Sequence, residues 1–162
     1  MDAPELVAII KQLYDLNTTN KGALASIFDP VSGNELLREK TEHEIDKAFF
    51  PKRGLPTFKI GAAQKALREY LKIVSLQEGI EMMLYYVEQG IHGTNEYGEI
   101  HDGFYISLET VFEQALKNIL QIPNPRSYLK QLHKLLDQSH GIGTGFPDQI
   151  GFLLSNFKDE IS

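Results

Sequence analysis

The chain has 162 residues, 42% of them hydrophobic and 23% charged, a globular composition long enough for one domain whose folding buries roughly 70% of the unfolded surface. It contains no cysteine, which excludes disulfides, thiolate metal sites and thiol nucleophiles, so any metal would need His, Asp and Glu. A net charge of −6 argues against generic binding to phosphate backbones, which depends on cations that displace counterions.

In chain order, the apolar spacing predicts helix almost throughout. Asp2 caps a first helix with Pro4 in its first turn and Glu5 three positions on, and Leu6, Val7, Ile10, Leu13 and Tyr14 form its apolar side until it ends near Asn17. A short helix follows around residues 22–28, closed by Asp29 and Pro30. A longer one over about 35–49 has Leu37, Thr41, Ile45 and Ala48 on its inner face, and Pro51, Gly54 and Pro56 then break the chain. Ile60, Ala63, Leu67, Tyr70, Leu71 and Val74 mark the next helix, which carries basic residues outward.

Ser75 and Glu78 have capping-box spacing before a strong stripe of Leu76, Ile80, Met83, Leu84, Val87 and Ile91. The broadest stripe, from Phe104 and Tyr105 through Leu108, Val111, Phe112, Ala115, Leu116, Ile119 and Leu120, predicts a central helix with Asp102 as N-cap. Asn124 and Pro125 start another helix with Leu129, Leu132, Leu135 and Leu136 inward, and the last covers about 147–160. No segment alternates apolar and polar residues with turn signals, and nothing repeats at a fixed period. The expectation is an all-α fold, a single compact array of seven or eight helices over residues 1–162. The first residues lack a cationic start with a long apolar run, and no stretch is apolar enough to span a membrane, so a cytoplasmic protein is expected.

Charge is segregated along this chain. Between Ile73 and Leu116 there are eight acids and no Lys or Arg, whereas Lys52 to Lys72 holds six basic residues against Glu69 alone, a local +5 beside a local −8. Glu81, Tyr85, Glu88 and His92 recur at four, three and four, within roughly a 60° arc of one helix. The loop after His92 adds Glu96, Tyr97, Glu99, His101 and Asp102, enough oxygen and nitrogen donors for a divalent cation. Glu88, His92, Glu96 and His101 are therefore the candidate metal ligands. The spacing is nonetheless neither an EF-hand, nor His-Glu-x-x-His, nor the paired Glu-x-x-His of dinuclear bundles. The structural reading of the same residues pairs Glu88 with His92 within the helix, ends the helix at Asn95 and leaves Glu96 and Glu99 solvated.

Other patterns say less. Glu39, His43 and Asp46 share an outer helix face. Gly141, Gly143 and Gly145 follow a helix rather than a strand and lack a following Lys, so they form a connection rather than a phosphate loop. No nucleophile elbow is present.

The segments Phe50-Pro51-Lys52-Arg53-Gly54, Met83 to Glu88, Thr94 to Ile100, and Phe104-Tyr105 with Ser107-Leu108-Glu109 resemble a bacterial family of small helical proteins known only as a domain of unknown function. The resemblance covers most of the chain and implies a cytoplasmic bacterial protein of one helical domain, with no reaction attached. It also links two irregular segments, and recognisable sequence in a loop points to function more than the same in a core helix. Lys52 and Arg53 are expected to approach and neutralise the acidic loop.

Candidate binding residues are thus Lys52, Arg53, Tyr85, Tyr97, Glu99 and Asp102. The leading function class is a non-enzymatic module that presents a charged groove to a protein partner or to itself, with no cofactor. The alternative is a metal-dependent, hydrolase-like enzyme in which a divalent metal activates water. Nucleic-acid phosphates on Lys59, Lys65, Arg68 and Lys72 form a third reading, opposed by the net charge.

Overall fold

A computed structural model of the chain describes residues 1–50, 58–143 and 145–162. Among the described residues the array is all-helical, with eight α-helices and no strand. They are α1 (Ala3–Leu16), α2 (Thr18–Phe28), α3 (Pro30–Phe49), α4 (Ile60–Leu71), α5 (Leu76–Tyr97), α6 (Asp102–Ile119), α7 (Leu129–Ser139), preceded by a 3-10 turn at Pro125–Tyr128, and α8 (Phe146–Glu160).

Capping chemistry sets several of these starts. The Asp2 carboxylate accepts from the Glu5 N–H at 2.9 Å while the Glu5 carboxylate accepts from the Asp2 N–H at 2.9 Å, so both halves of a capping box close at the start of α1. Ser75 and Glu78 close the same box at the start of α5. Asp29 both ends α2 and caps α3, accepting from Ser32 N–H at 3.3 Å. With Pro30 at its first position, α3 therefore begins about five residues before its apolar pattern does.

Burial raises the Glu78 carboxyl, but hydrogen bonds from Ser75 and Asn34 outweigh it and hold the group below its ordinary value of 4.5. A carboxylate whose pKa is depressed by folding stabilises the fold above its unfolded pKa and loses that contribution as pH falls through the folded value. Glu78→Ala is therefore expected to lower Tm at pH 7 and to lose its difference from wild type as pH falls well below 4.5, as read by circular-dichroism melts across pH. A constant difference down to pH 3 would show that the carboxylate's charge is irrelevant to the cap.

The core is where the two strongest stripes meet. α5 supplies Ile80, Met83, Leu84, Tyr86, Val87 and Ile91, and α6 supplies Phe104, Leu108, Phe112, Ala115 and Ile119, all buried. The predicted inner face of α3 is buried in full, as Leu37, Thr41, Ile45 and Ala48. α4 and α5 pack on α3, α6 and α7 pack on α5, and α8 closes the array against α6 and α7. Gly90 brings the central pair together: a Cβ there would overlap the side chain of buried Leu108.

Phe49 sits at the middle of an aromatic cluster, with ring centroids 5.2 Å from Tyr86 and 5.3 Å from Phe104. Phe58 joins it, 5.0 Å from Phe104, despite a backbone φ of 41° in the left-handed region. That conformation is unfavourable for a bulky residue and persists because packing over-determines it. Below the cluster, the Tyr86 hydroxyl and Ser107 share a 2.7 Å hydrogen bond, and Gln64 donates to Ser107 at 3.1 Å. Among the described residues, no buried side-chain polar atom lacks a partner.

The sequence pattern misplaces three features. Leu76, assigned to the inner stripe of α5, is exposed. α5 runs past Asn95 to Tyr97 and ends on Gly98, whose φ of 87° suits a residue without a Cβ. α6 takes His101 as its N-cap, with Asp102 as its first helical residue, so the cap falls one position earlier than expected and no side chain bonds to it.

The apolar side of α1 is the other surprise. The helix packs chiefly on α2 and buries none of its residues. Leu6, Val7, Ile9, Ile10, Leu13, Tyr14 and Leu16 are 39–71% exposed, and Ile27, Phe28 and Val31 extend the apolar surface beyond it.

Candidate functional site

The polar edge predicted on α5 exists but is divided between two neighbours. α3 and α5 run side by side in the same sense, with Asn34 on Glu78, Arg38 on Glu81 and Asp46 on Tyr85. At the other end, Glu88 faces α7 and accepts from Lys134 at 2.9 Å. Tertiary neighbours thus replace the expected Glu88–His92 pair. His92 is paired instead with Glu96, one turn further on, at 3.3 Å.

The four candidate metal ligands are consequently not gathered. Glu88 is taken by Lys134, His92 and Glu96 point out with more than half and nearly half of their side chains exposed, and His101 stands at the start of α6 beside Gly103. Among the described residues, no group of three or more His, Asp or Glu side chains could hold an ion. Glu88, His92 and Asn95 do line a depression of about 220 Å³ with Gln138, against whose carbonyl the Asn95 amide donates at 2.9 Å.

The remaining binding candidates separate in the same way. Tyr85 is half-buried and donates to Asp46 at 2.7 Å; burial and that bond push its hydroxyl pKa up, so it stays protonated. Tyr97 is half-exposed, its ring 6.0 Å from Phe50 and 6.2 Å from Phe58. Phe50 also lies 5.6 Å from the His92 ring. Glu99 and Asp102 are exposed, with Glu99 reaching toward Gly143. Lys52 and Arg53, and with them the expected neutralisation of the acidic loop, lie outside the described residues. Phe50 and Phe58, at the edges of the described stretches, pack against His92 and Tyr97 near the end of α5.

A larger feature lies at the other end of α5. The cleft between α3 and α5 has a volume of about 660 Å³ and is lined by Glu35, Glu39, Glu42, Glu78 and Glu81, with Arg38 as the one cation among the described residues. Arg38 bonds Glu42 at 2.8 Å and Glu81 at 3.5 Å; the Glu42 bond raises its pKa further. The sequence places Glu39, with His43 and Asp46, on an outer face of this helix and names no cleft. The signal was the spacing of Glu35, Arg38, Glu39, Glu42 and Asp46 at three and four along one side, opposite the same spacing at Glu78, Glu81 and Tyr85.

On α4, Lys65 pairs with Glu69 at 4.0 Å, which consumes part of that helix's basic face. No helix among the described residues is long and apolar enough to cross a membrane. Compared with known proteins, the chain matches no family model, no curated protein and no solved structure.

Proposed function

We propose that this protein is a non-enzymatic helical interaction module, presenting a charged groove and an adjoining apolar face to a protein partner or to a second copy. The observation that carries the reading is the unburied apolar side of α1. Monomeric proteins rarely leave contiguous apolar patches larger than a few hundred Å² in water. Here seven large apolar side chains on one side of α1, and three more at 27–31, are exposed. The accessible surface, 9597 Å², exceeds the ~8,100 Å² typical of a compact monomer of 18.3 kDa. The excess is roughly 1,500 Å², more than one side of a standard protein interface.

Leu6, Ile9, Leu13 and Leu16 follow the three-and-four spacing of a coiled-coil seam, which suits a helical partner. The polar side of α1 carries Glu5 and Asp15 against Lys11, so it lacks the cationic face that draws amphipathic helices to anionic lipid.

Replacing Leu6, Ile10 and Leu13 with Gln is expected to leave the helical core and its melting unchanged while removing association seen by sedimentation equilibrium at high micromolar concentration. A wild type that is strictly monomeric, and that binds no more of an apolar dye than the variant, would sink the reading.

A further inference from the structure

The α3–α5 cleft has a feature its carboxylates alone do not provide. Tyr70 of α4 lines it with only 3% of its surface exposed. It shares that lining with Arg38, Glu42, Glu78 and Glu81. Among the described residues its hydroxyl has no hydrogen-bond partner, and no fully enclosed side-chain polar atom is unsatisfied. The hydroxyl is therefore the part of this residue that opens to the cleft. A hydroxyl that has no hydrogen-bond partner among the described residues and opens into a charged cavity is a place for a ligand atom.

The walls specify the ligand's charge and shape. Five carboxylates face one guanidinium, a balance of −4. Glu42 and Glu81 are occupied by Arg38, and Glu78 by Ser75 and Asn34, but Glu35 and Glu39 have no ion pair among the described residues. The carboxylates are strung along two helices rather than converged, and they form no metal-binding group. An extended cation suits such a row better than a point charge. Val31, Pro30 and Met82 supply apolar wall between the charges, where methylene groups would lie.

We propose that this cleft binds primary alkylammonium groups on an aliphatic stem, with Glu35 and Glu39 meeting the charge and the Tyr70 hydroxyl accepting a hydrogen bond from the ammonium. Burial, reinforced by Glu78, raises the Tyr70 pKa to about 12, so the group remains a neutral hydroxyl at physiological pH. It can then accept from the ammonium without adding charge of its own. The chemistry is shared by a free polyamine and by lysine side chains of a peptide. The proposal rests on the reading of this protein as a binding module and deepens it by naming what the charged groove takes.

The test is calorimetric titration of the full chain at low salt with spermidine and, separately, with trilysine. Both should bind, and the tighter of the two identifies the source. Glu35→Gln with Glu39→Gln is expected to weaken binding about tenfold. Tyr70→Phe, which keeps the ring and its packing, is expected to weaken it by a similar factor through one lost charge-assisted bond. Glu113→Gln with Glu160→Gln, away from the cleft, should change nothing. Equal losses in the cleft and control variants, or no binding of either probe by wild type, would overturn the proposal. The Leu6, Ile10 and Leu13 variant keeps the cleft, so cation binding without association rejects only the interaction reading, and association without cation binding rejects only the cleft.

Discussion

Phe49→Ala is expected to lower the free energy of unfolding by about 3–5 kcal/mol, the range for deleting a fully buried aromatic ring. Phe49 has no exposed surface and joins helices that the chain connects only distantly: its ring meets Tyr86 of α5, Phe104 of α6 and, at 6.3 Å, Phe58 at the start of the second described stretch. Loss of the ring removes transfer energy, leaves a cavity that rigid neighbours cannot fill, and forfeits the edge-on ring contacts. It also removes one of the ring contacts that hold the left-handed backbone of Phe58. Chemical denaturation with circular dichroism reads the loss directly. Phe49→Leu, which keeps most of the volume, should recover more than half of it; a change below about 1 kcal/mol for the alanine variant would mean that the cluster is not the hub of the array.

The same cluster explains why part of the site was legible in the sequence and part was not. Helical periodicity is a local property, so the stripes of α5 and α6 and the inner face of α3 could be read residue by residue. The capping boxes at Asp2 and Ser75 were legible for the same reason, since both partners lie within three positions. The contacts that sort the charged residues span far longer separations. Tyr85 is bound to Asp46, 39 positions away, and Glu88 to Lys134, 46 away. Such partners follow from how helices stack, which no spacing along one helix encodes. The candidate metal set therefore came apart when α7 claimed Glu88, and the acidic cleft went unseen because α3 alone looks like a solvated face. α1 marks a further limit: its amphipathic pattern was plain, but a pattern does not say which surface, in this chain or another, will cover it.

The second large effect concerns where that uncovered helix is held. α1 packs chiefly on α2, and α2 is fixed to α3 by a backbone approach at Gly33. A Cβ at position 33 would fall inside contact distance of Ser26 N, Ala25 C and Ser26 Cα, all of them main-chain atoms. Two effects oppose each other in Gly33→Ala. Alanine is the better helix former by about 1 kcal/mol within α3. Against this, overpacking costs typically about 1–3 kcal/mol, and a clash with backbone rather than with a flexible side chain can be relieved only by moving a helix. The backbone clash puts the cost toward the upper end of that range, so the substitution is expected to destabilise the α2–α3 apposition by up to about 2 kcal/mol in net. The loss should be local. Amide exchange would accelerate in α1 and α2 while α5 and α6, whose core does not involve Gly33, keep their protection. A net gain in stability, carried by helix propensity, would show that α2 has room to retreat and that the position of the apolar N-terminal face is set by something other than this contact.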